Sequence, residues 1–164
     1  MTGDRRASTV VIGIGNPMRG DDGVGPWAVE QLGRPTVPPN IDLVTLDGEP
    51  TRLVDAWKGR RLAVVIDAIV ADSPPGTIHR VEVGVDLLPG RTPARSSHQT
   101  GLAEAIAFAS VLDRRPDRLV IYGIEPGTLA NGIGLSPPVR ESMPTLLRRI
   151  GEELGAAIPD GSTD

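Results

Sequence analysis

A chain of 164 residues with a net charge of −4 fits one domain and is long enough to bury a core. Hydrophobic residues make up 39% and aromatics only 2%, so aliphatic side chains must build that core, and stacking of bases on aromatic platforms is disfavoured. No basic run is longer than two residues, no apolar run reaches membrane-spanning length, and cysteine is absent, which argues against nucleic acid and a membrane and removes disulfides and thiolate metal sites.

The opening Met-Thr-Gly-Asp-Arg-Arg is followed by no signal-type apolar region, so a cytoplasmic location is expected. Ser8–Ile14 is short, β-branched and ended by glycine, which predicts a buried strand. Val24–Leu32 predicts a helix, with Pro26 tolerated in its first turn. Ile41–Leu46 is a second strand, Thr51–Lys58 a short helix and Arg61–Ile66 a third strand. A turn at Ser73–Gly76 leads into a fourth strand, Thr77–Val83, and residues 84–100 form a loop. Gly101–Leu112 is a helix and Leu119–Ile124 a fifth strand. After a glycine-containing loop, Gly127–Leu135, Ser136 has the character of an N-cap with Pro137 at the first helical position. The last helix spans Pro138 to Leu154, and Gly155–Asp164 is a small, polar tail that is expected to be flexible.

Strands apolar on both faces, alternating with helices, predict an α/β fold: three layers, with a mostly parallel five-stranded sheet between helices. Residues 1–154 read as a single domain without internal repeats. Ligands of such sheets sit beyond the carboxyl ends of the strands. That edge collects the Gly15–Asp22 loop, Asp47-Gly48, Asp67 and the loop containing His98.

A glycine loop after a strand suggests phosphate, but the residues here oppose it. Gly13 and Gly15 fit a dinucleotide fingerprint, whereas Met18 occupies the third glycine position. Gly15 and Gly20 have phosphate-loop spacing, whereas Asp21-Asp22 replace Lys-Ser/Thr and would repel the ligand. The stretch "GIGNP" resembles the opening of peptidyl-tRNA hydrolases, but "MRGDDGVG" then departs from that family. Carboxylate and imidazole suit a divalent first-row cation, which makes Asp22, Asp67 and His98 candidate metal ligands that leave coordination positions open. The alternative for Asp21 and Asp22 is a pair of solvent-facing acids at a helix N-terminus. For Asp67 it is a strand-end acid capping a turn, and for His98 a surface loop histidine.

Seven stretches taken together resemble the hydrogenase maturation protease family: "GIGNPMRGDDGVG" (13–25), "LDG" (46–48), "VVIDAI" (64–69), "PPGTI" (74–78), "SSHQTGLAEAI" (96–106), "VIYGIEP" (120–126) and "GLSPPV" (134–139). The resemblance implies a phosphorylase/hydrolase-like sheet between helices and an endopeptidase that trims the C-terminal extension of a nickel–iron hydrogenase large-subunit precursor. It also implies that Asp22, Asp67 and His98 contact nickel that arrives with this partner, and that the same residues serve catalysis. Asp47 matches a further characteristic acid. The family commonly continues from it as Asp-Gly-Gly-Thr, where this chain has Asp47-Gly48-Glu49-Pro50-Thr51, a change that bears on which hydrogenase is served. His79 matches no family position and reads as a strand residue.

The chemistry of cleavage stays open at the level of sequence. There is no H-E-x-x-H motif and no Ser-His-Asp set with a nucleophile elbow. An aspartic dyad needs its carboxyl groups about 3 Å apart. Metal-assisted hydrolysis is favoured. The rival from another class is a non-hydrolytic nickel-binding assembly factor that uses the same three residues.

Overall fold

The computed structural model describes residues 6–36, 39–84 and 99–157. The five strands are β1 (Thr9–Ile14), β2 (Ile41–Leu46), β3 (Leu62–Ala68), β4 (Ile78–Glu82) and β5 (Arg118–Ile124). They form one sheet in the order β2-β1-β3-β5-β4, parallel except for the antiparallel β4–β5 pair. The short connection after β3 keeps the chain at the carboxyl edge, so β4 must run back down the sheet. Every residue of β1 and β3 is buried, as central strands covered on both faces require, whereas the edge strands β2 and β4 are mostly half-buried.

The helices are α1 (Val24–Leu32), α2 (Pro50–Trp57), α3 (Gln99–Val111) and α4 (Pro137–Ala157). Alternation along the strands sends Val11, Val64, Ile66, Val120 and Tyr122 to one face, against α1 and α4. Helix α4 meets them with Val139, Met143, Leu146, Ile150 and Leu154, a stripe at helical spacing. The opposite residues, Val10, Ile12, Ala63, Val65 and Ile121, pack on Leu53 and Trp57 of α2 and Leu102 and Ala105 of α3. This is the three-layer arrangement expected from the pattern of apolar runs.

Some boundaries differ from expectation. Strand β3 continues through Asp67 to Ala68, because β5 extends the ladder with the pairs Asp67–Gly123 and Ala68–Ile124. Asp67 is therefore inside the strand and not at a capping turn after it. Helix α3 starts at Gln99, inside the segment expected to be loop, and the rest of that loop from 85 to 98 lies outside the described residues. Helix α4 runs on to Ala157, so the segment expected to be a tail begins as helix, and 158–164 lie outside the described residues.

Candidate active site

Strand β1 ends in a loop that a side chain could not follow. Gly15 has φ +142°, and a Cβ there would stand 1.8 Å from the Asp22 carbonyl oxygen. The chain then folds through Asn16 and Pro17 into a 3₁₀ turn, Gly20–Gly23, all four residues of which are buried. The Asn16 side chain accepts the Met18 N–H at 2.9 Å, an Asx turn that reverses the chain. The Asn16 backbone N–H donates to Asp22 Oδ2 at 2.9 Å.

Neither acid of the Asp21-Asp22 pair faces solvent; both are fully buried. Asp21 reaches across to the segment between β5 and α4. Its Oδ2 accepts from the N–H groups of Gly127 (2.7 Å) and Thr128 (3.0 Å) and from the Ser136 hydroxyl (2.6 Å). Its Oδ1 accepts from Ser136 N–H at 2.7 Å. Backbone bonds reinforce the junction: Gly20 N–H to Gly132 O (2.8 Å), Gly132 N–H to Met18 O (2.9 Å) and Asp21 N–H to Thr128 O (3.0 Å). The Asn16 amide at the start of the glycine loop, one a phosphate would take, therefore holds the chain's own Asp22 carboxylate. Ser136 stands at the expected helix start, but its hydroxyl serves Asp21. Pro137 and Pro138 leave the first two helical positions without N–H groups, so a capping oxygen has fewer donors to satisfy.

Asp67 is also fully buried and continues the alternation of Ala63 and Val65 toward the α2–α3 face. The Gly20–Gly23 turn packs on β3, and a Cβ at Gly25 would stand 2.6 Å from the Ile66 carbonyl oxygen. The fold thus brings Asp22 and Asp67 onto adjoining elements at the carboxyl edge of the sheet. His98 lies outside the described residues. Helix α3, which follows it in sequence, starts at the same edge, with Gly101 seated on the Gly48 carbonyl. Among the described residues, no three His, Cys, Asp or Glu side chains gather into a group that could hold a metal ion. Two buried carboxylates on neighbouring elements are nevertheless oxygen donors of the kind a divalent first-row cation accepts, and they fit a site completed from elsewhere.

The remaining candidates fall into place around this edge. Asp47 is exposed, accepts the Glu49 N–H at 3.1 Å and pairs with Arg52 at 2.9 Å. Glu49 is the N-cap of α2: it accepts from the Thr51 hydroxyl and from the N–H groups of Thr51 and Arg52. The Thr51 hydroxyl and these amides hold its carboxyl below the usual carboxylate range. Pro50 occupies the first turn, where a missing N–H costs nothing, so the Glu49-Pro50 departure builds a helix start. His79 lies in β4, with Nε2 3.9 Å from Glu125 Oε2. Glu125 is a buried acid to which the sequence assigned no role; it accepts the Ala71 N–H at 2.8 Å and fixes the β3–β4 connection. Asp21 was missed likewise, since nothing in its own neighbourhood distinguishes it from Asp22.

A doubly covered, mostly parallel sheet with buried carboxylates at its carboxyl edge defines a three-layer α/β protein whose carboxyl edge is acidic among the described residues. A family model described as hydrogenase maturation protease matches residues 27–153. The hydrogenase expression/formation protein HupD of Thiocapsa roseopersicina is 38% identical over 80% of this chain and 61% of its own length. The chain thus spans less than two thirds of that relative. The hydrogenase 2 maturation protease of Escherichia coli is 30% identical over 86% of this chain and 87% of its own. The solved structure of the hydrogenase maturating endopeptidase HybD from Escherichia coli superposes with a TM-score of 0.80 at 25% identity, covering 91% of this chain and 93% of that one. The chain belongs to the hydrogenase maturation protease family.

Proposed function

We propose that this chain is a cytoplasmic endopeptidase that removes a C-terminal extension from the large-subunit precursor of a nickel–iron hydrogenase, and that it recognises nickel already seated in that precursor. Family membership supports the reaction class. The observation that carries the site is the burial of Asp22 and Asp67 on adjoining elements at the carboxyl edge of the sheet. Buried carboxylates are costly unless donors, a cation or a reacting group meet them, and carboxylate oxygens at this edge are of the kind a substrate-borne divalent cation accepts.

In this reading Asp22, Asp67 and His98 lend two oxygens and one nitrogen to nickel that the precursor carries. With no thiolate in the chain, the free protein holds nickel weakly and releases its product readily. Peptide hydrolysis adds water to the scissile carbonyl carbon, breaks the C–N bond and moves the water's proton to the leaving amine. In this reading a carboxylate at this edge carries that proton. The nickel ion of the substrate supplies polarisation of the carbonyl.

The test compares nickel-loaded and nickel-free precursor with the same chelator-treated enzyme, read by the mass of the large subunit. Nickel-free precursor is expected to be cleaved at least about tenfold more slowly, the equivalent of roughly 1.4 kcal/mol of differential binding. Equal rates would refute nickel recognition. Complex formation with no loss of mass would identify a non-hydrolytic assembly factor instead.

A further inference from the structure

We propose that Asp21 is the positioning residue of the site: by tying the Gly20–Gly23 turn to Gly127, Thr128 and Ser136, it sets where Asp22 presents its carboxylate. The assignment rests on the reading of Asp22 as a residue that meets the substrate.

The two acids share one peptide unit in a turn of four residues. So short a 3₁₀ turn has little rigidity of its own. What fixes it is the set of cross-links to 127–136, a segment distant in sequence. Asp21 contributes four of them, all from neutral donors to a buried charge, and such charge-assisted bonds are the strong ones. The Asp22 carboxylate is in turn gripped by the Asn16 N–H, at the other side of the same turn. A shift of the turn relative to the sheet therefore has to move Asp22 against Asn16. The protection of the Asn16 amide from hydrogen exchange becomes a direct report on where the Asp22 carboxylate sits.

Ser136→Ala removes one of the four bonds and leaves the three backbone N–H donors in place. Asp21→Asn turns one acceptor oxygen into a donor that must face an N–H group. Both variants are compared with wild type, well below their melting temperatures, by amide exchange at Asn16 and by the cleavage kinetics of nickel-loaded precursor. Glu153→Gln, toward the other end of α4 and paired with Arg118 at the start of β5, is the control. Ser136→Ala is expected to speed exchange at Asn16 at least tenfold. It should lower kcat about three- to tenfold, with KM within twofold of wild type. Asp21→Asn is expected to exceed it on both measures. Unchanged Asn16 exchange in a folded Ser136→Ala protein would overturn the proposal, as would unchanged kcat. An equal Asn16 response in Glu153→Gln would overturn it too, by showing general loosening. A wild-type chain that does not cleave precursor sinks the functional reading alone, because the Asn16 exchange still decides whether Asp21 governs Asp22.

Discussion

Two acid-centred clusters hold this molecule at different places, and they are built by different rules. At the carboxyl edge, Asp21 is fully buried and, among the described residues, takes neutral donors, three of them backbone N–H groups. On the face beside α4, Glu153 meets cations: Arg80, by a side-chain hydrogen bond, and Arg118 at 3.6 Å. The Tyr122 hydroxyl donates to it at 3.1 Å, and Arg118 also pairs with Glu82 at 2.6 Å. Arg80 and Arg118 remain 36% and 44% exposed, so water and salt reach this network. The difference follows from the backbone. Around Glu153, helix and strands satisfy their own amides, so the side chains are left to pair with one another. Around Asp21 the chain is loop on both sides, and its amides need an acceptor, which a buried carboxylate supplies.

The largest expected effect is on activity, and it separates the carboxyl edge from everything else. Asp22→Asn and Asp67→Asn keep shape and remove charge, and each should lower cleavage of precursor about a hundredfold or more while the melting temperature stays near that of wild type. A Glu153→Gln protein that lost cleavage comparably would erase the distinction.

Next comes stability. Asp21→Ala leaves buried N–H groups without acceptors and should cost about 3 kcal/mol or more, read as a fall of roughly 6–12 °C in Tm. Added salt should not change that loss. Glu153→Gln should cost only about 1 kcal/mol, and less as salt rises, because its arginines return to water. A salt-sensitive Asp21 effect would break the comparison.

The pH dependence sharpens it. Burial pushes the Glu153 carboxyl up, but the hydrogen bonds from Arg80 and Tyr122 and the charges of Arg80 and Arg118 outweigh it and leave it below its ordinary 4.5. A depressed carboxylate contributes stability that is present above the unfolded value and lost as pH falls through the folded one. The acid limb of the stability curve, below about pH 4.5, should therefore be flatter in Glu153→Gln. Tyr122 shows the opposite sign: burial, then the Glu153 charge, push it from 10.0 up to about 12. Its contribution is present below the unfolded value and lost as pH rises between 10.0 and about 12, so Tyr122→Phe should flatten the alkaline limb. The smallest effect belongs to the N-cap of α2, where Glu49→Ala should lower the Tm less than Glu153→Gln does and leave cleavage of precursor intact.

The alternation of buried strands with helices was legible in the sequence. So was the carboxyl edge on which Asp22 and Asp67 fall, because apolar periodicity and glycine punctuation are local signals. The same signals could not separate Asp21 from Asp22. Two adjacent acids in a glycine-rich loop look alike until the partner segment arrives, and Gly127, Thr128 and Ser136 arrive from more than a hundred residues away. Nor could they end β3 after Asp67, because the pairing partner that prolongs it, β5, comes far later in the chain. Short-range pattern determined which elements form and at which edge Asp22 and Asp67 fall. Only the tertiary structure decided that Asp21 builds the loop junction to 127–136 while Asp22 turns to Asn16, because a buried charge is assigned by the donors that surround it, and those donors come together only when the sheet closes.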